Sequence, residues 1–219
     1  MESHSSQTTS ESNFTYLIPS TGDERFLDIC KEQIAKYTPS ATVLVVKDKD
    51  WKQAWTELWE ECPTDVGVYI DDDCFLTGDP MPVIQKVISG EYDMAAVEEV
   101  VPYYKGGYIR YKPGYYQSSF MVVNIGKCKR ERINYEVDIQ ECEKTEGVNR
   151  EFHYGLSQRL KNIYKIPCSL ANKWMMATNY GDFAVHLWYG SWRRRGVEDE
   201  QHDLLEVRDM QVLAHYGKL

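Results

Sequence analysis

The chain has 219 residues, 42% of them hydrophobic and 27% charged, which excludes a disordered or fibrous polypeptide and allows one good core, with about 70% of the unfolded surface buried at this size. Asp plus Glu number 34 against 25 for Lys plus Arg, a formal charge of -9. That balance argues against a general nucleic-acid coat or an anionic membrane surface as partner.

The opening MESHSSQTTSESN lacks the basic and apolar blocks of a secretory leader. No later run approaches the roughly 20 apolar residues that span a bilayer. The expectation is a cytoplasmic protein with a flexible polar terminus over residues 1–13 and a single domain over 14–219. Its six cysteines, Cys30, Cys62, Cys74, Cys128, Cys142 and Cys168, occur singly and read as reduced, mostly buried small apolar residues.

Along the chain, strand-like and helix-like periods alternate, the pattern of a sheet with crossover helices. Phe14 to Ile18 is a short strand. Asp23 caps a helix whose apolar positions Phe26, Ile29, Cys30, Ile34 and Tyr37 recur at helical spacing. Pro39 stops it, and the β-branched run Ala41 to Val46 reads as a buried parallel strand. Asp50 caps a second helix carrying Trp51, Trp55, Leu58 and Cys62, and Val66 to Ile70 is the third strand. Those tryptophans read as core.

Pro80 opens a further helix, which Gly90 ends. Asp93 to Val97 and Ser118 to Asn124 are strands, separated by the irregular stretch PYYKGGYIRYKPGYY from Pro102 to Tyr116. This stretch is read either as a mobile functional loop facing an acceptor or as a β-hairpin arm packed through its tyrosines. Lys127 to Thr145 reads as a charged helix, Glu151 to Leu160 as an amphipathic one, Ile163 to Ile166 and Phe183 to Trp188 as strands, and residues 198–214 as a C-terminal helix.

Two features carry chemistry. In Val68-Tyr69-Ile70-Asp71-Asp72-Asp73-Cys74-Phe75, three carboxylates follow an apolar parallel strand, where ligand sites in open α/β sheets lie. Strand alternation puts Asp71 and Asp73 on one side and Asp72 on the other, so two acidic groups converge on one hard cation. The plainer reading is a solvated acidic turn with a helix or turn cap. The second feature is Ala184-Val185-His186-Leu187-Trp188-Tyr189-Gly190-Ser191-Trp192. A histidine inside an apolar strand is either a hydrogen-bonded core residue or a ligand; Gly190 permits close backbone approach, and Trp192 offers a flat wall.

Taken in order, Tyr69-x-Asp71-x-Asp73 and the late His186-x-Trp188-x-Gly190-Ser191-Trp192 resemble the DxD-containing glycosyltransferases of the GT-A fold. The likeness is to the family 32 type, capsular-polysaccharide and α-mannosyltransferase-like, and more distantly to family 8. Tyr115 to Asn124 is similar to the stretch those families write as Tyr-Phe-Asn-Ser/Ala-Gly. The resemblance implies an α/β, Rossmann-like, mostly parallel sheet flanked by helices. It also implies metal-dependent, retaining hexosyl transfer from a UDP- or GDP-sugar, with Mn²⁺ or Mg²⁺ as cofactor.

By that resemblance Asp71, Asp73 and His186 hold the metal, and Asp71, Asp73, Gln117 and Glu151 serve catalysis. Pro19, Ser20, Thr21, Arg25, Asp71, Asp72, Gly190 and Trp192 border the nucleotide. The sequence departs from the family pattern in two places: Gln117 stands where an Asn is usual, and Phe152 and His153 stand where an Asp-Glu or Asp-Gln pair is usual, leaving either Glu151, one position away, or His153 in the place of the acidic residue. The acceptor is left open among a glycan, a protein, a small molecule and a modified DNA base. Other classes also fit an Asp cluster, namely a metal-dependent nucleotidyltransferase or phosphohydrolase and a non-catalytic Ca²⁺ or sugar-binding module.

Overall fold

The computed structural model describes residues 13–20, 23–103, 108–133, 156, 159–172, 177–187 and 202–219. Strands β1 (Phe14–Ser20), β2 (Thr42–Lys47) and β3 (Val66–Ile70) run parallel with β1 between the other two, so that Leu17 pairs with Leu44 on one side and Tyr69 on the other. Parallel neighbours need crossovers, and α1 (Glu24–Tyr37) and α2 (Trp51–Glu61) supply them. Both helices begin where the capping residues predict: Asp23 accepts from the Arg25 N–H at 3.0 Å, and Asp50 accepts from the Gln53 N–H at 3.1 Å. Helix α3 (Met81–Ile88) follows Pro80, and Gly90 just beyond its end adopts φ 77, a conformation that suits glycine. Strand β2 is the sheet edge and mostly half-exposed, where a fully buried strand was expected.

Alternation along the strands splits the core into two layers. Tyr16, Ile18, Val68, Ile70 and Val122 pack with Phe26, Leu27 and Ile34 of α1 and Ile84 of α3. Leu17, Tyr69, Met121 and Val123 pack with Trp55, Leu58 and Trp59 of α2. The Trp55 ring stacks on Tyr69 at 4.2 Å between centroids, which bears out its reading as core.

Strands β5 (Met94–Tyr103) and β6 (Tyr108–Asn124) pair antiparallel, β6 also pairs antiparallel with β3, and β7 (Ile163–Lys165) lies parallel to β5. The resulting order is β2-β1-β3-β6-β5-β7. Both central strands run well past their expected ends. The stretch from Pro102 to Tyr116 is therefore a hairpin arm in its described residues, with Val101 opposite Arg110 and Tyr103 opposite Tyr108. Register shifts on either side of Glu98 absorb the irregularity that makes this sequence look like a loop.

The charged helix expected over Lys127 to Thr145 stops early. Helix α4 (Ile125–Arg130) is closed by Arg132 at φ 58 and by an Ile133 N–H donating to the Cys128 carbonyl at 2.9 Å; residues 134–145 lie outside the described residues. Of the helix expected over Glu151 to Leu160, only Leu156, Arg159 and Leu160 are described, and the Leu160 N–H donates to the Leu156 carbonyl at 2.8 Å.

A second sheet, not expected from the sequence, has the order β4-β10-β9-β8 and is antiparallel throughout. Its strands are β4 (Cys74–Leu76), β8 (Cys168–Asn172), β9 (Ala177–Tyr180) and β10 (Ala184–Leu187); β10 falls within the expected strand Phe183 to Trp188. The Thr77 and Gly78 N–H groups both donate to the Phe183 carbonyl, at 2.7 and 3.1 Å. A Cβ on Gly78 would stand 2.8 Å from the Asp182 carbonyl oxygen, so this backbone approach requires glycine. The C-terminal helix α5 (His202–His215) buries Val212 and Leu213 in the α1 layer, and the following Tyr216 ring lies 5.8 Å from Phe75. The free cysteines Cys30, Cys62, Cys74 and Cys128 are buried and Cys168 is half-buried; Cys142 lies outside the described residues. Among the described residues no helix is long and apolar enough to cross a membrane.

Candidate metal centre

The three aspartates sit at the joint between the two sheets. As β3 ends, the Asp71 N–H donates to the Ser119 carbonyl of β6 at 3.1 Å, and the Cys74 N–H donates back to the Asp71 carbonyl at 2.9 Å. This closes a four-residue turn that hands the chain to β4. The Leu187 N–H donates to the Asp73 carbonyl at 3.0 Å, which pins β10 against the turn. The structure therefore brings Asp71 and Asp73 together as expected, but by a turn and not by alternation along an extended strand.

Within this turn the aspartates have different surroundings. Asp72 is buried and accepts from the Ser20 hydroxyl of β1 at 3.0 Å. Asp71 and Asp73 face His186, and one ligand atom from each of the three lies within 4.8 Å of the others. His186 Nε2 is 3.6 Å from Asp73 Oδ1. That spacing is too long for a hydrogen bond, yet two metal–ligand bonds of about 2.1 Å each span it. Two nearby carboxylates repel unless a cation or a proton intervenes, so the donor set of two carboxylates and an imidazole fits a divalent cation.

Charge from this turn reaches the groups behind it. Burial pushes the Cys30 thiol well up, and the Asp72, Asp73 and Asp71 charges add to it. Cys74 is raised by burial first, then by Cys30, Asp71 and Asp73. Both are neutral thiols and poor nucleophiles at neutral pH. Tyr180 is likewise raised, by burial first and then by Cys74, with a hydrogen bond from Ser119 opposing and Asp71 and Asp73 adding.

Sequence reasoning did not single out Tyr180 as a site residue. Its hydroxyl donates to Gln117 Oε1 and lies 2.9 Å from His186 Nδ1, so Gln117 reaches the histidine through it. Cross-strand register is the only signal for it: Thr178 lies opposite His186, and Tyr180, two residues on, shares that face. Pro19 and Ser20 end β1, two strands' width from β6. Arg25 lies in the first turn of α1, exposed, with its guanidinium on the Asp23 carboxylate at 3.0 Å, which raises its already high pKa. Thr21, Glu151, Gly190 and Trp192 lie outside the described residues.

Compared by sequence, the chain matches no family model and no curated protein. Compared by structure, it is similar to a galactosyltransferase, LgtC, in complex with donor and acceptor sugar analogues. The TM-score is 0.50 and the identity 11%, over 69% of this chain and 73% of that one. It is also similar to residues 1–349 of S. aureus TarS in complex with UDP, at TM-score 0.50 and 9% identity, over 93% of this chain and 72% of that one. The glycosyltransferase GlyE of Streptococcus pneumoniae matches at TM-score 0.49 and 13% identity over 70% of this chain, which spans only 45% of GlyE. The mixed central sheet with helices on both faces, the aspartate turn after its third strand and the likenesses to LgtC and TarS together give the chain the GT-A glycosyltransferase fold.

Proposed function

We propose that the chain is a metal-dependent, retaining glycosyltransferase that moves a hexosyl group from a nucleotide-diphospho-sugar to a hydroxyl acceptor, residues 14–219 acting as one catalytic domain. The observation that carries this reading is the convergence of Asp71, Asp73 and His186 within 4.8 Å at the carboxyl end of β3, the end of a parallel strand where α/β sheets bind ligands. Structural likeness to proteins solved with UDP and with donor and acceptor sugar analogues makes UDP-sugars the first donors to test, with GDP-sugars next. The motif pattern of family 32 and the fold shared with the family 8 type agree with the same chemistry.

In this reading Asp71, Asp73 and His186 hold Mn²⁺ or Mg²⁺, the imidazole favouring Mn²⁺. The cation, when bound, neutralises charge that develops on the departing nucleoside diphosphate. Pro19, Ser20, Thr21, Arg25, Asp71, Asp72, Gly190 and Trp192 are the residues this reading assigns to nucleotide binding. Gln117 and Glu151 orient the transferred sugar. The bond from the anomeric carbon to the diphosphate oxygen breaks, the acceptor oxygen bonds to the same face, and the acceptor proton passes to the leaving diphosphate. No separate general base is required.

The test is to incubate the full chain with a panel of UDP- and GDP-sugars and Mn²⁺ and to measure nucleotide release. Release from at least one donor, suppressed by chelation and restored by Mn²⁺, is the expected result. With an α-linked donor the anomeric proton signal of the product should report an α-linkage. Absence of release from every donor, or a β-linked product, would overturn the activity or its stereochemistry respectively.

A further inference from the structure

We infer that Tyr180 is a positioning residue that fixes His186 in the tautomer able to donate its Nε2 lone pair, and that it couples the metal side of the site to Gln117 on the sugar side. This rests on the reading above that Asp71, Asp73 and His186 hold a divalent cation. A phenol hydroxyl has one proton to give and two lone pairs to offer. Gln117 meets the phenol through Oε1, which only accepts and so takes the Tyr180 proton, while the Ser119 hydrogen bond, in the sense that stabilises the phenol oxygen, takes one of its two lone pairs. Towards His186 Nδ1, 2.9 Å away, Tyr180 has only a lone pair left. Nδ1 therefore carries the imidazole proton and donates it to Tyr180. In a neutral imidazole this leaves the lone pair on Nε2, the nitrogen that stands 3.6 Å from Asp73 Oδ1.

Geometry keeps this arrangement from relaxing. Tyr180 is fully buried, its ring lies 5.8 Å from the imidazole between centroids, and its backbone is held in β9 beside β10. Gln117 belongs to β6 of the six-stranded sheet, whereas Tyr180 and His186 belong to the four-stranded one. One hydroxyl thus spans the two sheets, and a shift of Gln117 on binding a sugar is transmitted to the orientation of a metal ligand. Partners that orient a ligating histidine from behind typically change metal affinity 10–100-fold when removed.

The experiment measures Mn²⁺ binding by electron paramagnetic resonance of the free ion, with no donor present, on the full chain and its Tyr180→Phe, Gln117→Leu, doubly substituted and His186→Ala variants. Tyr180→Phe should fold, by circular dichroism, and bind Mn²⁺ about 10–100-fold more weakly. Gln117→Leu should weaken binding less, and the double variant should bind no more weakly than Tyr180→Phe alone, because both changes break one chain of hydrogen bonds. Losses that add in the double variant would overturn the coupling to Gln117. Unchanged Mn²⁺ affinity in Tyr180→Phe, with binding lost in His186→Ala, would overturn the role of Tyr180 and leave the cation site standing. Unchanged affinity in His186→Ala would overturn the cation site itself, and this inference with it. Should Tyr180→Phe fail to fold, the tautomer is read directly on the unsubstituted chain from the ring ¹⁵N shifts of His186 at a pH where the ring is neutral: a proton on Nδ1 with Nε2 bare supports the inference, and a proton on Nε2 with Nδ1 bare overturns it.

Discussion

The six-stranded and four-stranded sheets contribute to the candidate centre in opposite ways. The first delivers Asp71, Asp72 and Asp73 at the end of a buried strand that pairs with β1, which in turn pairs with β2, the three being close in sequence and joined by helices with capped starts. The second delivers His186 and Tyr180 on short strands brought to the turn from far along the chain. The carboxylates are therefore placed by local rules, and the imidazole by whatever holds β10 against the turn. The joint between the sheets, more than either sheet, determines whether three ligand atoms meet.

The largest expected effect tests the carboxylate half. Asp73→Asn keeps the backbone carbonyl that receives the Leu187 N–H and removes one ligand charge. It should cut kcat/KM for nucleotide release about 100-fold or more, the usual consequence of losing a charge-stabilising group. Without metal its Tm should not fall, since one of two facing carboxylates has been neutralised. Thermal melts with and without Mn²⁺ measure both.

A pair of glycines separates the joint from the sheet. In Gly78→Ala the new methyl meets backbone, the Asp182 carbonyl oxygen at 2.8 Å and Phe183 Cα at 3.2 Å, so β10 must move. The expected cost is about 1–3 kcal/mol of stability, together with weaker Mn²⁺ binding. In Gly67→Ala the methyl meets the side-chain ends Ile125 Cδ1 at 2.5 Å and Leu17 Cδ1 at 2.8 Å, so stability falls while Mn²⁺ affinity holds. Denaturant midpoints plotted against Mn²⁺ affinity should place the two variants on different lines; a common line would show that the joint has no special role.

The smallest effect comes from the local half alone. Asp23→Ala removes the cap from α1 and should cost about 1 kcal/mol, read as a lower denaturant midpoint with unchanged Mn²⁺ affinity.

The same division explains what the sequence could show. The βαβ units were legible because Asp23, Asp50, Pro80 and the apolar periods act within a turn or two of themselves, and Asp71 and Asp73 were legible because they follow such a strand. Strands β4, β8 and β9 have three, five and four residues, too few for a period to register, and β4 joins the sheet only through β10, far along the chain. The helix expected beyond Lys127 failed on one residue, Arg132, whose positive φ no charge pattern announces. Tyr180 had no motif around it; its importance follows from register with β10, which only pairing across the second sheet creates.

The turn from Asp71 to Cys74 has a consequence for the order of folding. His186 reaches it only after β10 has paired with β4, a contact of long sequence separation that closes late because loop entropy opposes it. The ligand set is then absent from the transition state for folding, and an ion that binds it lowers the native state without lowering that barrier. Divalent cation should leave the refolding rate unchanged and slow unfolding, so the protein would keep its bound state through persistence once formed and not through faster assembly.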